Sequence, residues 1–330
     1  MCIRLMEEAV RLGASDLHVT ADAAPVVRIL GKLEPLKLVG YESVSNKQLE
    51  KFVELLPEAH RQVLTKTGEV DCAWSWGKQR YRLNIYRQRE RYALACRLLQ
   101  SRVPSCESLG LPKALQSLMQ LQQGLVLIVG TTGSGKTTSL TALVNQINSS
   151  RAAHIITLED PIEYEYPPGL ALIHQREIGR DTCSFATGLR AALREDPDVI
   201  IVGELRDSES IAIALTAAET GHLVLATMHT QNVVSSINRI LDALPQNQQQ
   251  VRSQLAEALQ AVAGQRLLTR SDGTGRVAAF ELLLATDAVR HLIREGQTHQ
   301  LASYLQTGAH AGMLTMEESI KALKRAGVVR

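Results

Sequence analysis

Residues 125–150 constrain the fold of this chain more than any other segment, because they combine a strand, a turn and a helix in direct succession. Residues 125–129 form a short apolar run rich in branched side chains, which is typical of a strand covered on both faces. Residues 130–137 then fit the pattern G-x-x-x-x-G-K-[ST] at every fixed position. A strand before the pattern and a helix after it are the context that a phosphate-binding loop requires. We therefore predict such a loop here.

The chemistry of this loop follows from its spacing. Glycines let successive backbone N–H groups point inward, toward phosphate oxygens that also meet the positive end of the following helix. Lys136 is expected to reach the β and γ phosphates as a point charge, and the Thr137 hydroxyl to ligate Mg²⁺. The predicted ligands are thus ATP and Mg²⁺, and the predicted nucleotide-binding residues are Gly130, Thr131, Thr132, Gly133, Ser134, Gly135, Lys136, Thr137 and Thr138.

Composition places the chain among ordinary globular proteins of about two domains. It has 330 residues, of which 45% are hydrophobic and 21% charged, and a net charge of +2 argues against a broad nucleic-acid-binding face. Its five cysteines are scattered without any C-x-x-C pair, which disfavours a disulfide framework and a zinc site and favours a reducing compartment. No signal peptide and no apolar run of about 20 residues is present, so we expect a cytoplasmic protein without an integral membrane segment.

Residues 1–101 are predicted to form a small α+β domain on an antiparallel sheet. A capping box, Ser45 with Gln48, indicates a helix that runs to about Pro57. The other predicted elements are a helix over 3–12 and strands over 16–20, 26–30, 33–36, 69–76, 80–86 and 93–99. The segment 101–105, which contains a proline, is the predicted hinge.

From residue 102 to residue 330 strands alternate with helices, which predicts an α/β domain with a parallel sheet. The four apolar strands are expected over 125–129, 154–158, 199–202 and 223–228. A polar cluster follows each of them: the phosphate loop, then residues 159–163, residues 203–207, and His229 with Thr230. Ligands bind at the carboxyl ends of strands in open parallel sheets, so we expect these clusters to converge on one site.

Three side chains of these clusters are candidates for catalysis. Glu204 follows its strand in the position of a Walker B acid and is expected to orient water or to help Thr137 hold the metal ion. Glu163 is a second acid that could act on water, and the residues alone do not rank it against Glu204. His229 could sense the γ-phosphate or contact Glu204, with a structural role as the alternative; His222 is a weaker case, because Gly221 can simply end a helix.

Arginines supply candidates for stabilising charge on the γ-phosphate. Arg190 and Arg194 lie four apart and hence on one face of a predicted helix, while Arg82 and Arg97 belong to the basic first domain. These four could act as arginine fingers in cis or across a subunit boundary, or could be surface charges. The wider basic set of the first domain is Lys78, Arg80, Arg82, Arg87, Arg89, Arg91, Arg97 and Arg102.

The motifs GTTGSGKTTSL, TLEDPIEY, REDPDVIIVGELRD and TAAETGHLVLATMHT resemble, in order and spacing, those of the secretion ATPase superfamily. Within it the chain is most similar to the type IV pilus retraction ATPases, the PilT family. GASDLHV resembles the start of the PAS-like amino-terminal domain of that family, and AVRHLIREGQTHQ resembles its carboxy-terminal stretch, which implies a helical region from about residue 286.

This resemblance implies a RecA-like P-loop ATPase core, a homohexameric ring, and peripheral attachment to an inner-membrane pilus platform protein. It also implies an Asp box at 159–163, a Walker B segment at 199–204 and a His box at 222–229, without zinc or nucleic acid. The chain departs from the usual motif sequences of retraction motors at Thr131, Leu205, Val289 and His291. The alternatives left open are a nucleic-acid-dependent RecA-like motor, a related pilus or secretion assembly ATPase, and a regulatory nucleotide-binding protein without turnover.

Residues 288–296 form the last motif. Val289, Leu292 and Ile293 fall three and four apart and predict one apolar helix face, with Arg290 and Arg294 lying away from it. Either this face packs on the ATPase core, or the helix transmits motion to a partner.

Overall fold

The computed structural model describes residues 1–77, 79–99, 102–245 and 247–330. They divide into two compact units, Met1–Arg102 with Pro161–Glu165, and Val103–Asp160 with Tyr166–Arg330. The segment Pro161–Glu165 clusters with the first unit because Arg80 donates a hydrogen bond to the Ile162 carbonyl (2.8 Å) and pairs with Glu165. Two sequence predictions, basic Lys78 and a domain boundary at Ser101, lie outside the described residues.

The first unit is built on an antiparallel sheet of six strands in the order β3-β2-β1-β6-β5-β4. Its strands are β1 Asp16–Thr20, β2 Val26–Ile29, β3 Lys32–Pro35, β4 Glu69–Trp76, β5 Gln79–Gln88 and β6 Arg91–Leu98, and its helices are α1 Cys2–Arg11, α2 Asn46–Val53 and α3 Glu58–Thr67. Every strand that the sequence predicts in this region is present, within about two residues at each end.

The helix predicted to run to Pro57 is shorter than expected. The capping box is formed, with the Ser45 N–H donating to Gln48 Oε1 at 2.8 Å, but α2 ends at Val53. Pro57 is instead the N-cap of α3, a helix without a counterpart among the predicted elements. Proline restricts the residue before it and lacks an N–H, so it begins a helix more readily than it continues one.

The second unit carries a sheet in the order β13-β12-β7-β11-β10-β8-β9. Its strands are β7 Gly124–Val129, β8 His154–Glu159, β9 Leu172–Glu177, β10 Val199–Val202, β11 Leu223–Met228, β12 Leu259–Thr269 and β13 Arg276–Leu284. Its helices are α4 Lys113–Ser117, α5 Lys136–Ser150, α6 Phe185–Ala192, α7 Ser208–Glu219, α8 Val233–Ala243, α9 Gln248–Ala258, α10 Asp287–Arg294, α11 Leu301–Thr307 and α12 Met316–Arg325.

The four predicted strands, β7, β11, β10 and β8, are parallel neighbours in the middle of this sheet. Their side chains are almost entirely buried, as their continuous apolar runs indicate. Since the strands are parallel, the residues after their carboxyl ends meet at one edge. The α/β prediction is therefore confirmed, and this edge positions the candidate site.

One helix prediction needs correction, and a second gains an additional contact. Helix α6 ends at Ala192, so Arg194 lies beyond the helix that carries Arg190, and its Nη1 folds back to the Arg190 carbonyl at 3.0 Å. In α10 the apolar face of Val289, Leu292 and Ile293 is buried as predicted. Arg290, however, does not lie free on the polar face, because its Nη1 donates to the Glu257 carbonyl of the preceding segment at 2.8 Å.

None of the helices formed by the described residues is both long and apolar enough to cross a membrane.

Candidate nucleotide-binding site

The phosphate loop turns sharply between β7 and α5, and two of its glycines are required by geometry. A Cβ on Gly130 would lie 2.6 Å from both the Ser134 Oγ and the Gln265 carbonyl oxygen. Gly135 is the N-cap of α5 with φ of 87°, in the left-handed region that favours glycine. The first N–H groups of α5 have no carbonyl partner within the helix, and such a helix start directly after a parallel strand is an arrangement that binds anions.

Lys136 is held inside this loop. It is 6% exposed, and its Nζ donates to the carbonyl oxygens of Gly130 at 2.8 Å and Thr131 at 3.1 Å. Burial lowers the pKa of Lys136, and the nearby Glu204 opposes that shift. The Lys136 ammonium thus lies beside the N-terminus of α5. Its charge and the positive end of the helix dipole together favour a negatively charged ligand.

Glu204 and His229 follow β10 and β11 and meet beside the loop. Glu204 is 8% exposed; its Oε2 lies 3.2 Å from His229 Nε2, and its Oε1 pairs with Arg206. The other ring nitrogen, His229 Nδ1, is 3.3 Å from Thr132 Oγ1 and 3.5 Å from Lys136 Nζ. Because Lys136 can only donate, Nδ1 is the acceptor and the ring proton is assigned to Nε2, facing Glu204.

The electrostatics agree with this neutral imidazole. Burial lowers the pKa of His229 below 6.5, Lys136, Arg206 and Arg239 lower it further, and Glu204 acts in the opposite direction. The structure thus brings Lys136, Glu204 and His229 together with a loop residue, Thr132. Thr131, Thr132 and Thr137 are exposed, and Thr138 is half-buried. This arrangement can hold a phosphate chain and place a carboxylate beside it.

Comparison with known proteins agrees with this geometry. Residues 94–272 match the family described as Type II/IV secretion system protein. The chain is 48% identical to the uncharacterized protein YggR of Escherichia coli K12, over 95% of this chain and 96% of that relative. It is 39% identical to the type IV pilus retraction ATPase PilT of Pseudomonas aeruginosa PAO1, over 98% of this chain and 94% of that relative.

The chain belongs to the type II/IV secretion ATPase family. Its fold superposes on a crystal structure of the pilus retraction motor PilT with bound ADP, with a TM-score of 0.92 and 43% identity over 99% of this chain and 94% of that one. Its α/β nucleotide-binding core and its ATPase class follow from this membership.

The predicted Asp box of this secretion ATPase begins with a carboxylate that already accepts two hydrogen bonds. Glu159, at the end of β8, accepts hydrogen bonds from Thr157 Oγ1 at 2.7 Å and from Gln175 Nε2 at 2.9 Å. Glu159 is buried, and these two donors hold its side chain in one orientation. The geometry therefore favours a supporting role for Glu159.

Glu163, Arg82 and Arg97 belong to the first unit. Burial raises the pKa of Glu163, and the charges of Arg82 and Arg97 oppose the shift. Arg82 binds Asp71 through Nη2 at 2.7 Å, and Arg97 binds Asp16 through Nε at 3.1 Å. The structure thus brings these three predicted residues near one another, and their catalytic roles stay predictions.

The remaining candidates have contacts within the second unit. Arg190 pairs with Glu209 in the first turn of α7. His222 Nδ1 lies 3.0 Å from the Ala217 carbonyl near the end of α7, which supports the structural alternative for this histidine. Arg190 and Arg194 therefore remain predicted finger residues of the secretion ATPase.

Two residues beside the loop, Arg206 and Gln265, are not among the predicted site residues. Arg206 pairs with Glu204, although it was noted only as part of the polar cluster after β10. Gln265 is 3% exposed in β12 and its carbonyl oxygen lies against Gly130. The available signal was a lone amide inside the apolar run AVAGQRLL, since a buried polar side chain usually has a specific partner.

Proposed function

We propose that this secretion ATPase hydrolyses ATP to drive the retraction of a type IV pilus. The observation that carries the proposal is its nearly full-length similarity, in sequence and in fold, to a pilus retraction motor whose structure holds ADP. Because the similarity covers both units of the chain, it supports the whole motor and not the nucleotide-binding core alone.

The residues of the second unit fit the needs of phosphoanhydride hydrolysis, which are a held phosphate chain, stabilised charge and an oriented water. Residues 130–138 bind the phosphates through backbone N–H groups. The Lys136 ammonium exchanges the carbonyls of Gly130 and Thr131 for phosphate oxygens. Glu204 orients or polarises the water, with Glu163 as the competing acid, and the neutral His229 links Glu204 to the loop through Thr132 and Lys136.

The residues also fit Mg²⁺, which commonly takes one or two protein oxygens and completes its shell with phosphates and water. Thr137, in the first turn of α5, supplies a hydroxyl, and the buried Glu204 supplies a carboxylate. A bound Mg²⁺ would neutralise phosphate charge.

The assembly that we propose is a homohexamer acting on an inner-membrane platform protein at the cytoplasmic side. It is supported by the family resemblance. In such a ring Arg82, Arg97, Arg190 and Arg194 are the candidates that complete a site with positive charge. In the structure these four arginines pair with Asp71, Asp16, Glu209 and the Arg190 carbonyl.

Loss of the loop lysine tests the function at two levels. Lys136→Ala removes the only charge inside residues 130–138, so we expect ATP turnover by the purified protein to fall by roughly 10²-fold or more. In cells that lack the gene, the wild-type copy should restore retraction of fluorescently labelled pili, and Lys136→Ala should leave them extended and more numerous.

Two results would overturn the proposal. Normal ATP turnover by Lys136→Ala would contradict the assignment of the site. Unchanged pilus number and retraction after deletion of the gene would contradict the cellular function, even if the purified chain hydrolyses ATP.

A further inference from the structure

Gln265 occupies an unusual position beneath the phosphate loop. Strand β12 runs parallel to β7 with Gly264 beside Val129, so Gln265 stands level with Gly130, where the loop begins. Its side chain is 3% exposed, and its Oε1 has no hydrogen-bond partner among the residues that the structure describes. A buried acceptor without a partner is rare in folded proteins and calls for an explanation.

The loop rests on this residue at two points. A Cβ on Gly130 would come within 2.6 Å of the Gln265 carbonyl oxygen, and a Cβ on Gly135 within 2.9 Å of Gln265 Nε2. The two glycines that allow the loop to turn therefore also allow it to lie directly on Gln265. Any displacement of the loop changes the surroundings of this amide.

Ser134, inside the loop, likewise has a buried polar atom without a hydrogen-bond partner. It is 4% exposed, and its Oγ lacks a partner within the described part of the chain, although it lies 2.6 Å from the position of a Cβ on Gly130. A hydroxyl that can donate and an amide oxygen that can accept are thus buried under one loop, each unpaired. Such a pair costs folding free energy until the two groups meet or bind something else.

Lys136 keeps the loop in this arrangement. Its Nζ binds the carbonyls of Gly130 and Thr131, the same segment that lies over Gln265. When the ammonium turns to a phosphate, these carbonyls are released and the segment is free to shift. The loop is thus a candidate two-state element, whose other state satisfies Ser134 and Gln265.

We propose that Gln265 is a positioning residue for binding of a nucleoside diphosphate or triphosphate. In the bound state the Ser134 hydroxyl donates to Gln265 Oε1, and this bond holds the loop in the form that grips phosphate. Part of the nucleotide affinity is therefore the relief of two buried unpaired groups. This inference rests on the proposed nucleotide site.

The test uses a variant of nearly the same shape, Gln265→Met, in the full-length protein. Without the amide the bound state loses one hydrogen bond, so the dissociation constant of a fluorescent ADP analogue should rise about three- to tenfold. The melting temperature without nucleotide should stay equal or rise, because the variant removes an unpaired buried acceptor. Ser134→Ala should weaken binding by a similar factor, and the double variant no more than either single one.

Gln254→Met, on helix α9, is the matched control, because its side-chain amide donates to Glu219 Oε2 at 2.7 Å, and it should bind ADP as the wild type does. The inference is overturned if Gln265→Met binds ADP normally, if its melting temperature falls while affinity is unchanged, or if the two single effects multiply in the double variant. Lys136→Ala distinguishes a failure of the proposed nucleotide site from a failure of the proposed role of Gln265. If Lys136→Ala retains ADP affinity, the nucleotide site itself is wrong; if it loses affinity and Gln265→Met does not, only the role of Gln265 is wrong.

Discussion

At the scale of single residues, Glu204 is the carboxylate whose surroundings favour catalysis in the second unit. It is buried, it faces His229 Nε2 at 3.2 Å, and it also pairs with the exposed Arg206. The contacts with His229 and Arg206 hold this buried carboxylate beside the phosphate loop. Glu163 lies in the first unit, where burial raises its pKa although the charges of Arg82 and Arg97 oppose the shift.

Glu204→Gln keeps the shape of the side chain and removes its charge. We expect the variant to bind ATP close to normally and to hydrolyse it roughly 10²-fold or more slowly, which a single-turnover assay would measure. Glu163→Gln is the comparison. A larger loss in Glu163→Gln than in Glu204→Gln would exchange the roles of the two acids.

His229 gives the site a pH dependence with a defined sign. Because its folded pKa is lowered below 6.5, the unfolded state takes up the proton first as the pH falls. The contribution of His229 to stability is therefore complete above pH 6.5 and declines below it, toward the folded pKa. When the pH is lowered from above 6.5, we expect the melting temperature of the wild type to fall more than that of His229→Asn. The control is His299→Asn, at an exposed histidine, and its melting temperature should follow that of the wild type. If the melting temperatures of the wild type and His229→Asn changed in parallel with pH, His229 would make no such pH-dependent contribution to stability.

At the scale of elements, helices α9 and α10 are joined by two arginines, each of which contacts the carboxyl-terminal end of the other helix. Arg290 of α10 donates to the Ala256 carbonyl, to the Glu257 carbonyl at 2.8 Å and to Gln260 Oε1 at 3.2 Å, just where α9 ends. Arg252 of α9 packs in turn against Gly296, after the end of α10. The Arg290 contacts satisfy carbonyls that the end of α9 leaves unpaired and place a cation at the negative end of the α9 dipole. Helix α10 is therefore part of the packed core.

This capping predicts that Arg290 and Arg294 behave differently. Arg290→Ala leaves carbonyls of α9 unpaired in a half-buried place and should cost about 1–3 kcal/mol of unfolding free energy, as measured by denaturant titration. Arg294→Ala, the matched variant four residues on, should have little effect on stability. Equal stability losses in the two variants would contradict the capping role.

Arg294→Ala is consequently the sharper probe of force transmission by α10. If the helix couples the ring to a partner, this variant should retain ATP turnover and lose pilus retraction in cells. A parallel decline of turnover and retraction would instead assign the helix to the ATPase core alone.

At the scale of the whole molecule, the proposed ring makes catalysis depend on assembly. Arg82, Arg97, Arg190 and Arg194 are proposed to complete the site, so the ATP turnover per chain should rise with protein concentration until the ring is formed. Turnover and sedimentation, measured over the same dilution series, would check this. Full specific activity in a dilute monomer would contradict it, and so would normal turnover after replacement of all four arginines by alanine.

Much of the fold could be predicted from sequence because its decisive signals are local. The strand–loop–helix pattern of residues 125–150 and the apolar runs of β8, β10 and β11 predict the centre of the sheet, and their order along the chain predicts which polar residues share one edge. The backbone of the phosphate loop likewise depends on glycines and a lysine at fixed positions within eight consecutive residues, so it is a local property. The phosphate loop, with Glu204 and His229 beside it, was therefore accessible from sequence.

Only the tertiary structure decided the features that depend on residues distant in the chain. Strands β12 and β13 are buried apolar runs, which periodicity does not separate from buried helices, and β12 follows α9 directly with no turn residue between them. Arg290 satisfies carbonyls more than thirty positions before it, and the amide of Gln265 lies beneath a loop that begins at Gly130. Sequence determines what each side chain can donate, accept or bury, whereas packing determines which distant group it meets.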